Sequence, residues 1–123
     1  MKNNDPAIQL RLCLPLLFWL SVGLVSVLAL IPSTAVPQAF HFWDKAQHGL
    51  AYAGLAMSGY LAFPLKLKRV FIGLIAHGAL IEIMQSALTT TRFGDPLDWL
   101  ADAIGVVFGL MVYAALRFAR QRR

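Results

Sequence analysis

Charge is scarce in this chain. Asp, Glu, Lys and Arg make up only 14% of its residues, while 59% are hydrophobic. A soluble domain is typically about a quarter charged and about half apolar. That deficit, with a mean hydropathy of +0.64, excludes an ordinary soluble domain. Cysteine is almost missing: Cys13 stands alone. One cysteine excludes an intramolecular disulfide and a zinc-type Cys cluster. Internal repeats and low-complexity stretches are absent, as are Ser, Cys or Gly-rich nucleophile motifs that would support covalent catalysis. The net charge is +5, but the basic residues flank apolar runs instead of forming one patch. Nucleic acid is therefore excluded as a partner.

What the chain has in plenty is long apolar runs. A transmembrane helix needs about 20 mostly apolar residues, and four runs meet this: about 12–31, 49–65, 70–88 and 99–118. The 123 residues suffice for one domain. The expected fold is all-α, an integral membrane four-helix bundle occupying residues 1–123, with consecutive helices antiparallel because the connections are short. All but two of the 11 basic residues lie before the first run, between the second and third, or from the end of the fourth onward; the exceptions are Lys45 and Arg92. The positive-inside rule then places both termini and the middle loop in the cytoplasm. Every acidic residue except Asp5 belongs to the opposite, outer side. Ser33-Thr34-Ala35 has the look of a small-residue cleavage site. The run before it is longer than the 7–15 residues usual for a signal sequence, so a retained span is expected.

The costly residues cluster at the outer side. Glu82, Asp95, Asp98 and Asp102 are four of the six acidic residues. An ionisable residue within a span is a functional-site hypothesis by default. Some have simple explanations. Asp44 and Gln47 have capping-box spacing, so Asp44 reads as a helix cap. Asp95 precedes Pro96, the arrangement of an N-cap followed by Pro at the first helical position. Asp98 falls in that first turn, where the helix dipole favours a carboxylate. Lys45 could snorkel to the interface. His77 reads as a helix–helix hydrogen bond.

Others are harder to dismiss. Lys45, His48, Tyr52 and Leu55 share one helix face. Glu82 lies about 9 Å below the outer end of its run at 1.5 Å per residue, with Gln85 one turn on and Gly78 one turn back, leaving room for a neighbouring backbone. Asp102 lies at a similar depth, about 10 Å, on the stripe of Gly105 and Gly109. Those glycines have the GxxxG spacing of close helix packing. Two carboxylates at one depth repel. Arg92, Lys45, His48, a proton or a cation must offset them. The residues predict a polar pocket between spans two, three and four, open to the outer leaflet.

Asp44-Lys45-x-x-His48, Glu82-x-x-Gln85, Arg92-x-x-Asp95-x-x-Asp98 and Gly105 together resemble the VanZ-like family, over more than half the chain. Family members usually carry Asn at the position of Asp102 and many carry Ser at that of Asp95. The resemblance implies a multi-pass protein of the bacterial inner (cytoplasmic) membrane, related to an accessory factor for resistance to teicoplanin. Its expected partners are the bilayer and an envelope lipid or lipid-linked cell-wall precursor.

The first functional expectation is a binding or accessory protein that holds such a lipid through Asp44, Lys45, His48, Glu82, Gln85, Arg92, Asp98 and Asp102. The alternative is a membrane-embedded enzyme with Glu82, His48 or Asp102 as the catalytic candidates for general acid–base work. No cofactor is called for by the first. The enzyme version admits a divalent cation on His48, Glu82 and Asp102. A proton pathway lacks a polar route through the inner half, where only His77 is found. A pure scaffold, in which the charges only cap and staple helices, is the remaining expectation.

Overall fold

The computed structural model describes residues 6–32, 34, 44–91 and 93–122. Among these the regular structure is helical and no strand occurs. Four helices follow in order: α1 (Pro6–Leu30), α2 (Asp44–Ala62), α3 (Leu67–Leu88) and α4 (Pro96–Gln121). Each expected run falls on one of them, but each helix begins earlier than its run. The first turns of α2 and α4 are polar, and a capped polar turn is still helical. Asp95 supplies the cap of α4, its side chain accepting from Leu97 N at 2.8 Å, with Pro96 next in line. At the other end of α2 the expected run to residue 65 is too long. Pro64 disfavours helical backbone at the residue before it. The chain turns there through Lys66 N donating to Phe63 O at 2.9 Å. Asp44 is the first described residue of α2 and lies in its first turn; the residues before it lie outside the described ones.

α1, α3 and α4 are long and apolar enough to cross a membrane; α2 is not among them. The reason lies in position. α2 touches each of the other three helices, and its most extensive contact is with α4. Its buried residues, Tyr52, Leu55, Ala56, Gly59 and Tyr60, pack against these neighbours, so its composition can be less apolar. α1 has the opposite character: Leu12, Leu16, Leu20 and Leu24 are all exposed. A contiguous apolar coat of this kind is foreign to a soluble monomer and suits lipid.

Small residues set the α2–α4 distance. A Cβ on Gly105 would collide with the Gly49 carbonyl, and one on Gly109 would lie 2.8 Å from Ala53 O and from Ala56 Cβ. The expected Gly105–Gly109 stripe is therefore a packing stripe, and its partner is the Gly49–Ala53–Ala56 face of α2. Towards the C-terminal end of α2, Gly59 leaves room for Phe18 of α1 and Val70 of α3. Tyr52, Leu55, Tyr60, Leu74, Val106 and Tyr113 complete this core with Phe18 and Val70. The Tyr60 and Tyr113 rings are 5.6 Å apart.

Candidate functional site

The register fixed by Gly105 on Gly49 lines up two clusters of charge on the α2–α4 seam. The nearer to the helix ends joins Lys45 to the start of α4. Lys45 Nζ donates to Asp95 Oδ2 at 2.6 Å and to Asp98 Oδ1 at 2.7 Å. Lys45 and Asp95 are roughly half exposed. Their hydrogen bond is the main reason the Asp95 carboxyl is held below the usual carboxylate range, helped by the Leu97 amide. The Lys45 ammonium is pushed up in turn, first by Asp95 and then by Asp98. Lys45 thus neither snorkels freely nor stands ready for a phosphate; two carboxylates hold it.

One turn deeper lies the second cluster. His48 Nδ1 is 3.0 Å from Asp102 Oδ1. Asp102 is 1% exposed and Glu82 8%. His48, Glu82 and Asp102 each offer a ligand atom within 4.8 Å of the other two. Gly78 matters here in an unexpected way. A Cβ on it would meet Asp102 Oδ2 at 2.9 Å and Trp99 Cδ1 at 3.2 Å, so it makes room for a carboxylate and not for a backbone.

Glu82 also has a structural task. Its Oε2 accepts the backbone N–H of Asp95 at 2.8 Å. In a capping box the N3 carboxylate does this, but the N3 residue here is Asp98, which is engaged by Lys45. Glu82 replaces it from the neighbouring helix. Gly94 makes the approach feasible: a Cβ there would lie 2.5 Å from Glu82 O and Ser86 Oγ, and its own N–H donates to Ser86 Oγ at 2.9 Å.

After these bonds are made, two buried oxygens of the cluster remain without a hydrogen-bond partner among the described residues, Glu82 Oε1 and Asp102 Oδ2; Tyr60 Oη, in the core, is a third such atom. A buried acceptor left so costs on the order of 1–3 kcal/mol. The cavities beside the cluster lie on either side of it. One, of ≈190 Å³, is lined by residues of α1, α2 and α3 that include Asp44, Gln47, His48 and Ile81. The other, a groove of ≈590 Å³ between α3 and α4, is lined by Glu82, Ser86, Gly94 and Trp99 among others.

Gln85 does not join the cluster. Its Nε2 donates to Ala29 O of α1 at 2.8 Å, which makes it an α1–α3 staple. Arg92 lies outside the described residues. His77 is the helix–helix link expected of it: Tyr52 Oη is hydrogen-bonded to His77 Nδ1 at 2.7 Å, and the other ring nitrogen is 2.9 Å from Ser26 Oγ. Because Ser26 Oγ donates to Val22 O at 2.8 Å, it accepts from His77, and Nε2 carries the proton of that bond. Trp99 Nε1 donates to Ile75 O at 3.1 Å. The Ser26, Trp99 and Asp95 N–H contacts carry no sequence signal beyond the presence of a donor in an apolar run. No family model, curated protein or solved structure matches the chain.

Proposed function

We propose that this chain is a four-span bacterial inner-membrane protein of the VanZ-like type that binds or handles an envelope lipid or lipid-linked cell-wall precursor at the outer end of its bundle. Both termini and the Lys66–Arg69 turn face the cytoplasm. α2 is the fourth span, shielded from lipid by its three neighbours. The observation that carries the assignment of the site is the buried cluster of His48, Glu82 and Asp102, with two carboxylate oxygens left over after the fold has used the rest. A scaffold would have no use for them. The site is acidic, since Lys45 is already matched by Asp95 and Asp98. It therefore favours the amine, hydroxyl or metal-bound portion of a headgroup over a bare phosphate.

A second reading, an enzyme on the same lipid, is favoured by the 3.0 Å His48–Asp102 contact. That is the arrangement of a general base oriented by a carboxylate. Incubation of a lipid-linked precursor with the purified protein separates the two: mass spectrometry finds a changed lipid for an enzyme and an unchanged one for a binder.

The test of the proposal uses a glycopeptide-sensitive bacterium without an outer membrane. Wild type and Glu82→Gln are expressed at matched membrane levels, and the inhibitory concentrations of teicoplanin and vancomycin are measured. A rise for teicoplanin with wild type only is expected. Equal values with wild type, variant and empty vector would contradict the envelope-lipid role.

A further inference from the structure

We propose that His48, Glu82 and Asp102 bind one divalent transition-metal cation. The proposal goes beyond the lipid reading and does not depend on it. The three side chains come from three helices, α2, α3 and α4, and each brings a ligand atom within 4.8 Å of the other two. Convergence of acids alone would mean little. The independent observation is what the fold leaves over. Glu82 spends Oε2 on the Asp95 N–H, and Asp102 spends Oδ1 on His48. Each keeps a second oxygen, Oε1 and Oδ2, that is buried and has no hydrogen-bond partner among the described residues.

The ligand must suit two acceptors and an imidazole at once. An anion is repelled. One proton shared between the two oxygens would need them within hydrogen-bond distance of each other, and as placed neither has a hydrogen-bond partner. A metal cation takes both and the His nitrogen together, and offsets the excess negative charge. The donor set decides the class of metal. One imidazole with two carboxylates suits zinc, manganese or a neighbouring first-row ion, whereas calcium and magnesium prefer all-oxygen shells. Three protein ligands would leave a coordination position for water or a headgroup oxygen.

A second group, Asp44, His48 and Asp98, has similar spacing. It is the weaker candidate. Asp98 is bound by Lys45 at 2.7 Å, and the buried partnerless oxygens belong to the deeper group. His48 and Glu82 also line the cavities on either side of the cluster, so an ion can approach from two directions.

The test uses the full chain purified in detergent, stripped with a chelator and dialysed against zinc, manganese or cobalt(II). Elemental analysis is expected to find one metal per chain for wild type. Glu82→Gln and Asp102→Asn keep shape and an acceptor oxygen, and are expected to bind about tenfold more weakly or worse. Circular dichroism confirms that each stays helical. Cobalt(II) bound to wild type gives a direct readout that needs no variant: its visible bands should depart from those of the aqueous ion. Wild type that is folded yet retains no metal would overturn the proposal. So would variants that bind as well as wild type, or a cobalt spectrum identical to that of the aqueous ion.

Discussion

Two carboxylate-rich clusters sit one helical turn apart on the same α2–α4 seam. In the outer one, Asp95 and Asp98 share the Lys45 ammonium, and Asp95 also caps α4. Each carboxylate in it has a cation and an evident structural duty. In the deeper one, Asp102 is paired with a histidine and Glu82 with the Asp95 N–H, neither has a Lys or Arg partner among the described residues, and each retains a buried oxygen with no partner among them. The backbone scaffold is common to both, and so is the glycine register that aligns them. The difference is compensation. A compensated cluster explains itself as a clamp on the helix ends, while an uncompensated one points to a ligand. Depth sharpens the contrast, because burial away from water raises the cost of an unbalanced charge.

The most damaging way to disturb the comparison is to destroy the register on which both clusters depend. Gly105→Val must push α2 from α4, since a Cβ there collides with the Gly49 carbonyl. Overpacking of this kind is expected to cost on the order of 3 kcal/mol, seen as a lower melting temperature in detergent and a lower yield of folded protein. Next comes the dual duty of Glu82. Glu82→Ala removes the acceptor for the Asp95 N–H, whereas Glu82→Gln keeps one. Thermal or denaturant melts of the metal-free proteins should place the Ala variant below the Gln variant by about 1–3 kcal/mol.

Lys45→Ala breaks two pairs, with half-exposed Asp95 and with buried Asp98; the exposed, screened ammonium they share should keep the effect smaller. Its sign with pH follows from Asp95. Lys45 depresses the folded-state value of that carboxyl, so its contribution is present above the ordinary carboxylate range and lost as pH falls through the depressed value. The gap in melting temperature between wild type and Lys45→Ala should therefore close in acid, and also in high salt. Least of all, Ser26→Ala removes one end of the His77 link. Hydrogen bonds between membrane helices are worth about 0.6 kcal/mol on average. A small drop in melting temperature with unchanged metal binding is the expected outcome.

The helices were legible in the sequence because apolar runs and caps mark them: Asp95 and Pro96 announce α4, whereas the expected run of α2 to residue 65 passes over the stop at Pro64. The packing stripe of Gly105 and Gly109 was legible too, although its partner stripe on α2 was not. Pairings were harder. That Lys45 meets Asp95 and Asp98 follows only from knowing that α2 and α4 are neighbours in this register. Glu82 and Gln85 lie about one turn apart, yet three residues leave them about 60° apart around a helix of 3.6 residues per turn. That offset aims Glu82 at α4 and Gln85 at α1. Gly78 was read as room for a backbone, when the neighbour it admits is the Asp102 carboxylate. The cross-helix cap from Glu82 to Asp95 N–H had no local signature, because the residue that would ordinarily provide it, Asp98, carries the right chemistry and is engaged elsewhere.

The most direct measurement is the melting temperature of wild type and Asp102→Asn, each with chelator and again with a divalent transition metal. Asn keeps an acceptor for His48 and removes the buried charge. If the deeper cluster is a charge excess built for a cation, the variant should melt above wild type in chelator and below it when metal is added. A variant that melts below wild type in both conditions would show that Asp102 serves only the fold, and would contradict the distinction between the two clusters.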